Sequence, residues 1–279
     1  HEVAHQRSRD NLKRFLIFAY HEVRFIAFRR YPFTAAFSRL IKSLYARNLR
    51  KNLEKYIADE RLRRHMMPDY ELGCRRVIPT NTYLPALARA NVEVDISGIE
   101  RITPSGIRTK DGRDIPLDII VYATGFHAYT DMDKALTFQV YGRDGRSLNS
   151  EWEKEIASYK GITVSGYPNY FKVNGPNTGT GHSSQISYMQ TMTSYAVKAI
   201  RAVKRKEGVR AIDARSDVQR DYVAGVRKLL QATVWQTGGC TAFYRKDMTG
   251  DVTSLSPESV VHFIFSRQRV RLEDYHLIR

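Results

Sequence analysis

Only two cysteines occur in 279 residues, Cys74 and Cys240, and their separation suits neither a zinc-ligand cluster nor a Cys-x-x-Cys redox pair. A reduced, cytoplasmic setting is the simplest expectation for them. Long hydrophobic runs are also missing. Phe15 to Tyr20, the longest near the start, is broken by His21, Glu22 and Arg24, far short of the ~20 residues needed to span a bilayer. No Gly-x-Gly-x-x-Gly turn, Gly-Lys-Ser/Thr phosphate loop or Gly-x-Ser-x-Gly elbow is present, which argues against a hydrolase and leaves no pyrophosphate-binding loop. The eight histidines have no metal-ligand spacing, so no metal site is expected. With 17 Gly and 9 Pro the chain is neither collagen-like nor low-complexity. It begins at His1 without a signal-peptide pattern, and is expected to be an incomplete chain.

What is present is enough for a core: 42% of residues are apolar and 11% aromatic. Charge is lopsided. The 45 basic and 29 acidic residues give +16, and residues 1 to 67, with 16 Lys/Arg against 6 Asp/Glu, hold +10 of it. An Arg-rich helical stretch of this kind could dock to nucleic acid or an anionic membrane. No recognition motif accompanies it, so a solvated helical face is the better reading.

Apolar residues recur at helical spacing from Leu12 to Ala27 and, after Pro32, from Phe33 to Leu49, predicting two or three helices. Short β-rich pieces follow: Arg76 to Pro79, Val92 to Ile96, Ile99 to Thr103 and Ile107 to Thr109, with a turn at Asp111-Gly112. Asp118 to Ala123 is nearly continuous in apolar residues, as for a strand covered on both faces of a parallel sheet. Asn169 to Asn174 is a further strand candidate, and a long helix is predicted from Ser183 or Ser184 to about Arg205, with Ile186, Met189, Tyr195, Ala196, Ala199, Ile200 and Val203 on its apolar side. Another helix spans about Val218 to Ala232, and Ser256-Pro257-Glu258 opens a last short one.

Two glycine segments sit where an open α/β sheet places ligands, at the carboxyl ends of strands. Ala123-Thr124-Gly125 leaves room for close backbone approach, although a tight turn explains it equally well. Gly175 to Ser184 interleaves Gly with Pro, Asn, Thr and His just before a helix N-terminus, whose free amides favour an anion or an electron-rich carbonyl edge. An ordinary loop with Ser183 or Ser184 as helix cap carries about equal weight. His182 has no neighbouring carboxylate in this loop and reads as a structural hydrogen-bonding residue rather than a catalytic one.

The segments Tyr167-Pro168-Asn169-Tyr170-Phe171 and Gly175-Pro176-Asn177-Thr178-Gly179-Thr180-Gly181-His182-Ser183-Ser184 resemble a motif of the flavin-dependent monooxygenases, particularly the Baeyer-Villiger class. Pro68-Asp69-Tyr70-Glu71-Leu72-Gly73-Cys74-Arg75-Arg76, Tyr83-Leu84-Pro85-Ala86-Leu87 with Asn91-Val92-Glu93, and Asp118 to Phe126 resemble three more motifs of that family, in the right order. The likeness covers residues 66 to about 265.

The resemblance implies an α/β chain forming the C-terminal half of a flavoprotein with two Rossmann-like dinucleotide-binding domains, preceded by a helical segment. Residues 1–115 would end the NADPH domain and 116–279 the FAD domain. The implied enzyme uses FAD, NADPH and O2 to insert one oxygen atom into a ketone, amine or sulfide through a flavin peroxide. Arg76 would be the catalytic cation beside the flavin, with Arg75 its basic neighbour. Thr124 and Gly125 would line the crossover between the domains, and Asn177, Thr178, Gly179, Gly181, His182, Ser183 and Ser184 the flavin side. The family's Asn after the histidine is Ser183 here, and its Glu-x-Gln on the next helix reads Gln190-Thr191-Met192. Both pyrophosphate loops and the Phe-x-Gly-x-x-x-His-x-x-x-Trp fingerprint lie upstream in that family, so the missing N-terminal half is the implied partner and this chain alone is expected to be inactive. A reductase of the disulfide type shares the Ala-Thr-Gly strand end, but the absence of Cys-x-x-Cys argues against it.

Overall fold

The helical spacing after Pro32 folds into α1 (Ala35–Tyr56), although its Phe37, Leu40 and Leu44 are exposed rather than packed. The computed structural model describes residues 16, 19–23, 25, 26, 28, 29, 35–125, 138–242, 244, 245 and 249–279. The chain divides into two compact units: one comprises residues 1–39, 70–76 and 127–279, the other 40–69 and 77–126.

In the smaller unit α1 is followed by α2 (Glu60–Met66), whose cap Asp59 accepts a 2.8 Å hydrogen bond from the Arg61 amide. After α3 (Tyr83–Leu87) comes an antiparallel meander, β1 (Ile99–Thr103), β2 (Gly106–Thr109) and β3 (Asp114–Pro116). Asp111-Gly112 turns β2 into β3 as the sequence predicts, with Gly112 at φ +89°. The pieces at 76–79 and 92–96 form no strand.

The expectation for Asp118 to Ala123 is corrected. No strand among the described residues runs beside it, so its backbone makes no ladder and most of its apolar side chains are uncovered: Ile119 is 79% and Val121 83% exposed, and Ile120 is half-buried. A run suited to burial on both faces reads as a buried strand only when neighbours supply the faces. Both sheets formed by the described residues are antiparallel.

The larger unit is built around α5 (Gln185–Lys204), within one residue of its predicted start and end; α4 (Leu148–Lys154) precedes it. Tyr188, Met192, Tyr195, Ala196 and Ala199 form its buried face, the i, i+4, i+7, i+8, i+11 stripe of a half-buried helix. Ile186, Met189 and Ile200, predicted on that side, are exposed. Tyrosine hydroxyls take part in the core by bonding one another: Tyr195 Oη lies 2.9 Å from Tyr275 Oη, and Tyr159 Oη donates to Asp274 at 2.5 Å. Against this stripe pack Ile212 and Ala214 of β4 (Ala211–Ala214), Tyr275 of β5 (Tyr275–Ile278), and Val260 and Phe263 of α8 (Val260–Ser266). Between β4 and α8 lie α6 (Ser216–Gln231) and the short α7 (Val234–Thr237). The last helix is capped by Ser259, not Ser256. Residues 169–174, predicted as a strand, form none: irregular backbone at 170–172 lies between turns at Asn169 and at Val173-Asn174, both asparagines at positive φ; asparagine tolerates that conformation better than other non-glycine residues.

An ion pair stabilises this core. Arg267, with no exposed side-chain surface, reaches Glu258 at 2.9 Å and also donates to Tyr222 Oη and the Lys160 carbonyl. Burial alone would raise the Glu258 carboxyl, but the charge of Arg267 and the bond to His262 hold it down to about 2. A depressed carboxyl contributes stability that is present above its ordinary value of 4.5 and lost as pH falls toward 2. Urea midpoints measured from pH 7 to pH 2 are therefore expected to drop across that window, by ~3 kcal/mol of stability. A Glu258→Gln variant should be less stable at pH 7 and should lose the Glu258 share of the acid slope, keeping the part that the other depressed carboxyls such as Asp95, Asp114 and Asp217 contribute; an unchanged acid slope in that variant would discard the assignment.

Candidate functional site

The loop from Gly175 to Ser184 is fixed from within before it offers anything to a ligand. Asn177, at φ +54°, donates its side-chain amide to the carbonyls of Val252 and Leu255, and its backbone amide bonds Thr253. The Thr178 hydroxyl donates to the Gly175 carbonyl at 2.7 Å and is fully buried. Gly179 pairs with Leu255 as an isolated bridge. A Cβ at Gly179 would lie 2.8 Å from the Ser254 carbonyl oxygen, and one at Gly181 2.8 Å from the Trp235 ring, so both glycines are required by close approach to the protein itself. His182 is buried, its ring stacked on Trp235 at 6.2 Å and tilted against Phe25 at 5.1 Å, and His21 Nδ1 lies 2.5 Å from its carbonyl oxygen.

Two residues outside the predicted set hold the last turn of the loop. The Thr180 hydroxyl accepts from the amides of His182 and Ser183, and Gln185 folds back to accept from the Thr180 amide while donating to Asn174 and the Thr178 carbonyl. A glutamine directly after the capping serine was the available signal; in the structure that serine makes no side-chain cap bond. Ser184 is exposed, and among the described residues no hydrogen-bond acceptor meets its amide or those of Gln185 and Ile186, so the positive end of a 20-residue helix faces outward here.

Arg76 meets the same loop, its Nη2 donating to the Thr180 carbonyl at 3.2 Å while the residue stays exposed. One of five guanidinium donors is spent there. Arg75 lies over the Tyr70 ring at 4.8 Å and donates twice to Thr241. Next to them Cys74 and Cys240 are joined in a disulfide, which corrects the reduced reading of the two cysteines; sequence separation says nothing about spatial distance, and their Cα atoms are 6.1 Å apart. Thus Arg75, Arg76 and the 177–184 loop are brought together in the larger unit. Thr124 and Gly125 belong to the smaller one, both exposed, with Gly125 at φ +92° and open space where a Cβ would stand.

No protein-family model matches the chain. It is 35% identical over 268 residues, 96% of its length and 50% of the relative's, to a Baeyer-Villiger monooxygenase of Streptomyces coelicolor. A Baeyer-Villiger monooxygenase of Pseudomonas aeruginosa is 34% identical over 86% of this chain and 45% of its own length. The chain thus spans about half the length of the curated relatives it matches. Among solved structures, an oxidized steroid monooxygenase bound to NADP superposes with a TM-score of 0.75 over 89% of this chain and 47% of that one, at 22% identity. A cyclohexanone monooxygenase from Rhodococcus sp. Phi1 bound to NADP+ gives 0.74 over 85% and 45%, at 23% identity. These likenesses show a shared fold.

Proposed function

We propose that this chain, a relative of the Baeyer-Villiger flavin monooxygenases along nearly its whole length, is the C-terminal half of an FAD- and NADPH-dependent monooxygenase acting on a small organic molecule and O2. The relatives' names favour a ketone over an amine or sulfide. Bound FAD, reduced by NADPH, would supply the activation of O2. The residues fit such a group: the exposed Arg76 guanidinium lies against the loop that leads into the helix N-terminus at Ser184, and a cation and a helix N-terminus together favour an electron-rich ring edge. The roles of this chain's residues follow from that loop. Thr180 orients Arg76 through its carbonyl, Gln185 holds Thr180, and Asn177, Thr178, Gly179, Gly181 and His182 keep the loop rigid. Ser183 and Ser184 present the helix end; Arg75 shields one side of the Arg76 turn. Thr124 and Gly125 would lie along the backbone of the domain crossover.

The observation that carries this reading is the Arg76-to-Thr180 bond, because it puts a cation at the edge of the motif loop. The uncovered apolar run at Ile119 to Tyr122 supports an N-terminal half as partner, since strands from that half would give it faces to bury. Purified alone, the chain is expected to be colourless and to leave NADPH unoxidised. Joined to the N-terminal half of the Streptomyces relative, it should retain FAD and consume NADPH in the presence of a ketone. Stoichiometric FAD and NADPH oxidation by the chain alone would overturn the half-enzyme reading.

A further inference from the structure

In the larger unit a groove of about 390 Å³ is lined by Lys198, Arg201, Ala202, Arg205, Arg269 and Val270. Positions 198, 201, 202 and 205 follow the i, i+3, i+4, i+7 spacing of one helix face, so three cations of α5 and its C-cap rise around the small Ala202. Arg269 closes the groove from the segment after α8. The Lys198 ammonium is fixed by the Gln268 carbonyl at 2.9 Å. Among the described residues no ion pair uses any of these four cations; the acids beyond them, Glu273 and Asp274, are engaged by Arg271. Complementing the helix dipole accounts for Arg201 and Lys204 in the last turn. It does not account for Lys198, more than a turn earlier, nor for Arg269, which is not on the helix.

Four like charges around one recess repel each other unless an anion is shared among them. We propose that this groove is a binding site for a compact, multiply charged phosphate anion, the pyrophosphate group of a free metabolite or the phosphates of a lipid headgroup. Guanidinium forks at Arg201, Arg205 and Arg269 match phosphate oxygens in pairs, and Lys198 adds a point charge. Ala202 and Val270 leave a floor on which no side chain competes for the space.

Inorganic pyrophosphate is the probe, titrated calorimetrically into the 279-residue chain at physiological ionic strength, where diffuse attraction is screened. Arg201→Gln with Arg269→Gln should weaken binding about tenfold or more. Ala202→Trp, which fills the floor and leaves every charge in place, should do the same. Arg47→Gln with Arg50→Gln, exposed on α1, removes equal charge and should change affinity less than twofold. Vesicles with and without phosphatidylinositol bisphosphate form a second arm: binding that follows the headgroup and is lost in the groove variants assigns the lipid source, and binding of pyrophosphate alone assigns the free one. No binding of either probe, equal loss in the α1 variant, or full binding by Ala202→Trp would overturn the proposal.

Discussion

Reduction of the Cys74–Cys240 bond is expected to lower the stability of the larger unit by about 3 to 5 kcal/mol. The bridge joins positions 166 residues apart. In the chain-entropy account, a loop of that length restricts the unfolded chain by about 5 kcal/mol. The folded side depends on it too, because Cys74 is fully buried and packs on the Gly238 turn, where the Glu71 amide bonds the Gly238 carbonyl at 2.9 Å. Arg75 adds its two bonds to Thr241. Segment 70–76 is thereby fastened to residues 238–241, and the turn carrying Arg76 is fastened with it. Denaturant unfolding followed by tryptophan emission, with and without reductant, measures the loss, because Trp235 sits fully buried one turn before Gly238. A Cys74→Ala, Cys240→Ala variant should match the reduced protein and be insensitive to reductant. Two free thiols in the untreated protein, or equal midpoints under both conditions, would contradict the expectation.

Helical periodicity located α5 and α6 almost to the residue, since 3.6-residue spacing survives in any context. The choice of buried face on α5 was only half legible: Tyr195 was expected there and is buried, its hydroxyl 2.9 Å from that of Tyr275, but Ile186 and Ile200, which outrank tyrosine in hydrophobicity, are exposed, while Tyr188 is buried with its ring stacked on Phe263 at 3.8 Å, a neighbour that only the fold supplies. The same holds for the Arg267–Glu258 pair, nine residues apart, which nothing in a charge count distinguishes from surface ions. At the candidate site, motif likeness pointed to Arg75, Arg76 and the glycine loop, and the structure brings these together. It also shows what composition could not: most polar groups in the loop are spent on the protein, and Thr180 and Gln185, which the motif reading left aside, connect the cation to the helix end. Apolar runs such as Ile119 to Tyr122 carry no record of which chain segment will cover them.

In the complete enzyme proposed above, Arg76→Ala is expected to cost two to three powers of ten in the rate of oxygenated product, equivalent to ~3 to 4 kcal/mol of lost charge stabilisation. The guanidinium is exposed, and among the described residues the Thr180 carbonyl, at 3.2 Å, is the contact that orients it, which leaves its outward side to a ligand. That geometry separates binding from chemistry. The loop is held by the several bonds of Gln185, Asn177 and Thr178, to which Arg76 adds one at the edge, and flavin content should stay near that of the parent enzyme. NADPH consumption should continue, at most a few-fold slower, with the reducing equivalents released as hydrogen peroxide instead of product. Arg76→Lys should recover little, because a single ammonium on a flexible stem cannot keep the Thr180 carbonyl and a ligand edge together as a planar fork does. The ratio of product formed to NADPH consumed is the deciding measurement, since a merely structural role would lower both together along with flavin content. Product formed by the Arg76→Ala enzyme at the parent rate and ratio would return Arg76 to the protein surface as an ordinary solvated cation.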